Sequence, residues 1–489
     1  MDLPASAARV VGGYRYRRIG FTDAAVSTSF RALPYPLTSQ TMTTSTESDH
    51  PQSSPAATRR AIWNTIRGSL GNLVEWYDVY VYTVFAPYFE GQFFDESQKN
   101  STVYVYAIFA ITFVMRPIGS WFFGRFADRR GRRAALTVSV SLMAACSMLV
   151  ALIPSQASIG AAAAVILIIA RLVQGFATGG EYGTSATYMS EAATRERRGF
   201  FSSFQYVTLI GGHVLAQFTL LIIESVLTED QVREFGWRIA FAIGGVAALV
   251  VFWLRRTMDE SLSQEVIAGV EAGQEPQAGS IRELFTRYWK PLLLCFLITL
   301  GGTVAFYTYS VNAPAMVKTA YKGQAMTATW INLIGLIFLM LLQPVGGMLS
   351  DKVGRKPLLV FFGGGGLFYT YFLITYLPHL RSPLASFFLV IGSYVILTGY
   401  TSINALVKSE LFPAHVRALG VGIGYALANS MFGGTAPLIY QALKANGQVP
   451  LFIVYVTVCI AVSLFVYVFV LKNKSDTYLD RERGSAFAR

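Results

Sequence analysis

Charge is scarce in this sequence. Only 14% of its 489 residues are Asp, Glu, Lys or Arg, against 53% hydrophobic residues and a mean hydropathy of +0.45. That balance excludes an ordinary water-soluble globule and makes the bilayer the expected solvent. Cysteine is scarcer still. Cys146, Cys295 and Cys459 fall in three separate apolar stretches, so no disulfide framework is expected. His50, His213, His379 and His415 are equally scattered, without metal-ligand spacing, and no nucleophile elbow occurs. An enzyme is therefore not expected, nor a metal, nor a cofactor. The glycine runs at 211–212 and 363–366 follow no strand and read as close helix contacts, not phosphate cradles. The formal charge of +12 is spread loop by loop, which argues against a nucleic-acid partner.

Apolar runs are what the chain has in quantity. A helix rising ~1.5 Å per residue needs about 20 residues to cross ~30 Å of hydrocarbon. On that measure the first half offers spans at 70–90, 103–123, 134–153, 159–181, 204–226 and 238–254. The second half offers 291–312, 329–349, 358–377, 384–407, 419–440 and 449–471. The expected fold is all-α, with twelve transmembrane helices. Cations gather after even-numbered spans: Arg125, Arg129, Arg130, Arg132 and Arg133 after span two, Arg195, Arg197 and Arg198 after span four, Arg255 and Arg256 after span six, and Lys352, Arg355 and Lys356 after span eight. Because cations near span ends are retained inside, both termini are expected in the cytoplasm.

Between and around the spans the composition changes. Residues 1–60 are rich in Ser, Thr, Pro and Ala, with "TSQTMTTSTESDHPQSSPAAT" at 38–58 showing no apolar period. They read as a disordered leader that is not a cleaved signal, and Met42 opens a plausible shorter chain. The polar stretch "SQEVIAGVEAGQEPQAGS" at 263–280 divides six spans from six. The expected organisation is a leader at 1–60, a six-helix bundle at 61–256, a cytoplasmic linker at 257–289, a second bundle at 290–472 and a tail at 473–489.

The two halves repeat one another. "GRFADRRGRR" at 124–133 aligns with "GMLSDKVGRK" at 347–356, placing Asp351 and Gly354 each 223 positions after Asp128 and Gly131. "SEAATRERRG" at 190–199 aligns with "SELFPAHVRA" at 409–418, placing Glu410 and Arg417 each 219 positions after Glu191 and Arg198. Two echoes in the same order, at nearly equal offsets, indicate duplicated six-helix halves, an architecture of secondary transporters.

These motifs carry a resemblance. The pair of Asp-Gly loops and "RLVQGFATGGEYG" at 171–183 resemble the major facilitator superfamily. "GNLVEWYDVYVY" at 71–82, "MRPIGSWFFGR" at 115–125, "GGEYGTSATYMSE" at 179–191 and "FPAHVRALGVG" at 412–422 are more specifically similar to its metabolite:proton symporter family, over roughly residues 58–472. Within that family, "SFQYVTLIGG" at 203–212 and "YTSINALVKSELFP" at 400–413 resemble carriers of the dicarboxylate alpha-ketoglutarate, although His213 stands where a glutamine is expected. The resemblance implies a monomeric symporter of the bacterial inner membrane that imports a small organic anion, alpha-ketoglutarate foremost, together with protons, by alternating access. Another organic acid or a zwitterionic osmolyte is the alternative within the family, and a membrane sensor that binds without transporting is the alternative outside it.

The residues allow roles to be assigned within that expectation. Charge inside a span costs about 2.5 to 3.5 kcal/mol, so it marks function. Arg116 and Arg171 are candidate forks for the substrate's carboxylates, with Tyr80, Tyr82, Gln174, Gln205, Tyr307, Tyr400 and Asn404 as further substrate contacts. Tyr206, Tyr309, His213 and Asn429 are weaker candidates of the same kind, and Lys408 reads equally well as a snorkelling cation. Glu75, Asp78 and Glu181 are candidate proton carriers, with Glu75, Asp78 and Tyr82 sharing one helix face at i, i+3, i+7. Gly124, Asp128, Arg129, Gly131, Arg132, Glu191 and Arg198 are expected to form one half of a cytoplasmic gate; Asp351, Gly354, Arg355, Glu410 and Arg417 form the other. In that gate each aspartate faces a helix N-terminus of the opposite half, with Arg198 and Arg417 as expected partners.

Overall fold

The structure, a computed structural model, describes residues 55–94, 101–193, 195–257, 260, 269, 279–321, 325–471 and 477–479. Most of the expected leader, linker and tail lies outside the described residues. Every regular element among the described residues is helical, and twelve long helical stretches run in chain order. They are α1 (Pro55–Phe93), α2 (101–130), α3 (Arg132–Leu152), α4 (Ala162–Ala192), α5 (Arg198–Val226) and α6 (Trp237–Arg255), followed by α7 (289–320), α8 (Ala325–Val353), α9 (Arg355–Tyr376), α10 (383–409), α11 (417–445) and α12 (449–470). Ten of these stretches meet the length and apolarity needed to cross a bilayer. The other two, α1 and α11, carry the buried polar groups Glu75, Asp78 and Asn429, which a membrane helix tolerates only toward a protein interior.

The helices run longer than the apolar windows predict, because polar residues continue the helical turns beyond the apolar runs. Glycine sets two of the sharpest boundaries. Gly131 separates α2 from α3 at φ 100°, and Gly354 separates α8 from α9 at φ 93°, both in the left-handed region that side chains avoid. At the opposite face, Thr228 and Gln231 cap one another ahead of α6, and Arg238 donates to the carbonyls of Ala151 and Ile153 at the end of α3. Apolar side chains such as Ile243, Leu249, Val250, Phe368, Phe388 and Val458 remain exposed on the outside, where lipid replaces water.

The halves meet along α2 with α11, α5 with α8, and α4 with α11. Small residues let these helices approach. A Cβ on Gly124 would lie 2.8 Å from Leu419 Cα, one on Gly347 would lie 2.5 Å from the Gly199 carbonyl, and one on Gly183 would lie 2.6 Å from Gly422 Cα.

Candidate substrate site and latch

Four of the long helices are interrupted within their length. α2 breaks at Met115 between Ser101–Val114 and Arg116–Arg130. α7 passes through a π turn at Thr308–Asn312, α11 through another at Asn429–Gly433, and α10 breaks between Thr401 and Asn404. Such breaks free backbone groups and re-aim side chains, and in transporters they accompany midplane binding sites. They carry Arg116, Tyr307, Tyr400, Asn404 and Asn429 into the interior.

Arg116 is 1% exposed, and none of its three guanidinium nitrogens has a hydrogen-bond partner among the described residues. It lies over the rings of Phe113 at 3.9 Å and Trp76 at 5.3 Å. The hydroxyls of Tyr80 and Tyr307, both within electrostatic range of Arg116, and, elsewhere in the interior, the Tyr400 hydroxyl and the amide nitrogens of Asn404 and Asn429 are also buried without a partner at hydrogen-bond geometry. Buried polar groups are nearly always paired, so a cluster of unpaired ones marks where a ligand or water belongs. Both carboxylate oxygens of Glu75 are likewise buried and lack a partner at full hydrogen-bond geometry, although Thr178 interacts with them and Arg116, Arg255 and Glu181 are within electrostatic range.

Arg171 stands in a different setting. It donates to Gln174 Oε1 at 2.7 Å, lies 3.5 Å from Asp78 Oδ2, and covers the Tyr82 ring at 4.1 Å. Asp78 also accepts from Gln174 Nε2 at 2.7 Å and from the Ser147 hydroxyl. Glu181 pairs with Arg255 and accepts from Ser139 at 2.6 Å. Gln205 exchanges hydrogen bonds with Asn72 and accepts from Ser185 at 2.9 Å. The geometry thus gathers Tyr80, Tyr307 and Glu75 about Arg116, places Tyr400 and Asn404 beside Tyr182 and Lys408, and draws Arg171, Gln174, Tyr82 and Asp78 into a separate cluster inside the first half that is joined by an ion pair and hydrogen bonds.

At the face carrying the even-numbered loops, the repeated loop motifs form two latches. Asp128 accepts from the backbone N–H groups of Ala418 and Leu419, at 3.2 and 3.0 Å, at the start of α11. Asp351 accepts from those of Gly199 and Phe200, at 2.8 and 3.0 Å, at the start of α5. Each aspartate therefore caps a helix N-terminus of the opposite half. Each also pairs with the arginine four residues on, Arg132 or Arg355, and those arginines reach Glu191 at 3.4 Å and Glu410 at 3.3 Å. Arg417 crosses between the halves to Glu191 at 2.8 Å, while Arg198 donates to the Leu479 carbonyl at 3.2 Å. Arg129 is half-buried in the last turn of α2, where its charge complements the helix C-terminus.

Two residues escaped the sequence reading. Arg255, counted there among loop cations, is fully buried against Glu181, in space that any side chain at Gly71 would fill. Lys408 is also fully buried. A snorkelling cation ends in water, and this one does not. The positive-inside pattern uses Arg255 for topology, so sequence alone could not reveal its second role. Lys408 lies in the short segment Asn404–Ser409, beyond a break in α10 that no residue pattern announces.

A family model for sugar (and other) transporters matches residues 64–264 and again 263–482. The chain belongs to this family of transporters. The double match spans both halves of the internal repeat. Over 410 residues, 84% of this chain and 93% of the relative, it is 42% identical to the alpha-ketoglutarate permease of Escherichia coli K12. It is 29% identical to a citrate-proton symporter of Salmonella typhi, over 81% of this chain and 91% of that one. It is also 29% identical to a putative proline/betaine transporter of Staphylococcus aureus, over 88% and 94%. Among solved structures, the major facilitator superfamily proton:xylose symporter XylE, bound to 6-bromo-6-deoxy-D-glucose, superposes with a TM-score of 0.72 at 20% identity, covering 87% of this chain and 99% of that one. The fold is that of the major facilitator superfamily, and the chain is a membrane transporter, not an enzyme.

Proposed function

We propose that this transporter is a proton symporter that carries alpha-ketoglutarate into a bacterial cell across the inner membrane. The observation that carries the reading is Arg116, a buried guanidinium with no acceptor at hydrogen-bond geometry among rings and hydroxyls, in a chain 42% identical to an alpha-ketoglutarate permease. A planar fork with free donors suits a carboxylate, which can accept two parallel charge-assisted hydrogen bonds. Tyr80, Tyr307, Tyr400 and Asn404 supply the remaining polar contacts. Tyr82, Gln174 and Arg171 support them from the neighbouring cluster, and Gln205 does so from α5.

Protons must accompany the anion. Against an interior-negative potential each negative charge costs about 2.3 kcal/mol per 100 mV, so a dianion faces roughly 4.6 kcal/mol. Glu75 is the carrier this reading favours, because Asp78 and Glu181 form ion pairs with arginines while neither Glu75 oxygen does so among the described residues. The Asp128 and Asp351 latches serve as the cytoplasmic gate. They close on helix ends of the opposite half and release when the site turns inward, with both termini on the cytoplasmic side. One chain supplies every group invoked, so the working unit is the monomer in its lipid bilayer.

The test is uptake into proteoliposomes with labelled alpha-ketoglutarate, competed by a panel of unlabelled organic acids and betaine, with and without a protonophore. The expected result is accumulation that a proton gradient drives, that protonophore abolishes, and that dicarboxylates inhibit best. Accumulation insensitive to protonophore refutes symport, and stronger competition by citrate or betaine reassigns the substrate.

A further inference from the structure

The site as described accounts for one end of a dicarboxylate. Arg116, on the first half, meets one carboxylate, and the reading leaves the second carboxylate without a cation. The second half contains one that the transport reading does not use. Lys408, in the short segment Asn404–Ser409 beyond the break in α10, is fully buried, and no ion pair to a carboxylate is formed by it among the described residues. Its ammonium donates to the Tyr182 hydroxyl at 3.2 Å and sits over the rings of Tyr425 at 4.5 Å, Tyr182 at 5.1 Å and Tyr400 at 5.8 Å.

An ammonium has three donors, and this one places a single hydrogen bond among the described residues. Aromatic faces compensate part of the lost hydration, but a buried charge without a counter-ion remains costly. The groups beside it are incomplete in the same way: the Tyr400 hydroxyl and the Asn404 amide nitrogen are buried and unpaired, while Asn404 Oδ1 accepts from Tyr182 at 2.9 Å. Tyr425 joins the two cations, since its ring lies under Lys408 and its hydroxyl is within electrostatic range of Arg116. The Tyr182 and Tyr425 rings stack across the two halves with centroids 3.5 Å apart.

We infer that Lys408 receives the distal carboxylate of the substrate, so that a dicarboxylate bridges Arg116 on the first half and Lys408 on the second. A dianion would then bind only where both halves contribute, and a monocarboxylate would engage one half alone. The inference rests on the transport reading above and adds the group that distinguishes two carboxylates from one.

Binding of 2-oxoglutarate and of 2-oxopentanoate, which has the same carbon chain without the distal carboxylate, is measured on the purified full-length transporter for wild type, Lys408→Gln and the near-isosteric Lys408→Met. Thermal unfolding of each variant checks that it is folded, and the Met variant keeps the packing volume among the rings. The expected result is that both variants lose roughly 30-fold or more in 2-oxoglutarate affinity, the scale of a charge-assisted hydrogen bond, while 2-oxopentanoate changes less than about threefold. The preference for the dianion then collapses. Equal losses for both acids would mean that Lys408 only holds the tyrosines in place, and would overturn this inference while leaving the transport reading standing. Wild-type protein that binds neither acid overturns both.

Discussion

Arg116 and Arg171 are both 1% exposed, both lie over aromatic rings, and both come from the first half of the chain. Their surroundings are opposite. Arg171 has Asp78 for charge, Gln174 for a hydrogen bond and Tyr82 for its face, so its burial is compensated within the protein. Arg116 has rings on two sides and no acceptor at hydrogen-bond geometry. The lesson is that burial of a cation does not by itself mark a binding residue. What marks it is burial that the protein leaves incomplete, because a free energy of several kcal/mol stays uncompensated until something else arrives.

The largest effect should come from testing that difference directly. Arg116→Gln is expected to weaken substrate binding on the order of 1,000-fold, and Arg116→Lys nearly as much, since a point charge keeps the sign but not the fork. Arg171→Lys should cost less than about tenfold, because an ammonium can still answer Asp78. Binding isotherms on purified variants at matched folding decide it. If the lysine variants rank the other way, Arg171 holds the carboxylate and the comparison inverts.

A second effect concerns stability. Removing one member of a buried ion pair leaves the other charge stranded, at about 3 kcal/mol, whereas removing both can be nearly neutral. Asp78→Asn and Arg171→Gln should each lower the unfolding midpoint clearly, and the double variant should recover most of the loss. The coupling energy from the cycle should be roughly 1–3 kcal/mol. Strict additivity would show that the 3.5 Å approach of Arg171 to Asp78 contributes nothing and would remove the ground for calling this cluster a framework.

How far these roles could be read from sequence depends on what fixes them. The twelve helices and their pairing into halves were legible because apolar length and the repeated Asp-Gly loops are local features. The aspartates' destinations came from the transporter resemblance and not from a local feature, because each meets a helix start of the opposite half. The arginines' partners were not, since Arg417 reaches Glu191 while Asp128 takes Arg132. Nor could a list of membrane polar groups be sorted into satisfied and unsatisfied. Asp78 is satisfied by Ser147 from α3 and Gln174 from α4, and only the packing of three helices brings those side chains together. Lys408 was hidden for another reason. It stands at a span end, where a cation ordinarily reaches water, yet it is fully buried among aromatic rings from both halves.

The smallest expected effect separates the two latches, which the repeat makes equal in pattern and the fold makes unequal in setting. Asp128 and Arg132 are both fully excluded from solvent, whereas the side chains of Asp351 and Arg355 are 11% and 23% exposed. Both aspartates cap helix starts with two backbone hydrogen bonds, so the difference lies in what water can replace. Asparagine keeps the shape and one acceptor oxygen, but turns its amide toward an N–H group and removes the charge that answers the arginine. At Asp128 the pair is shut off from solvent, and Arg132 is left with the Ala414 carbonyl and with Glu191, which Arg417 also claims. At Asp351 partial exposure lets solvent screen the loss. Asp128→Asn should therefore reduce uptake about tenfold, and Asp351→Asn about threefold, the range of one hydrogen bond to a charged group against one exposed ion pair. Uptake at matched membrane abundance measures both. Equal losses would mean that the helix caps alone set the strength of the latch and that its burial is incidental; a larger loss at Asp351 would mean that the α5–α8 contact carries the closure of the gate.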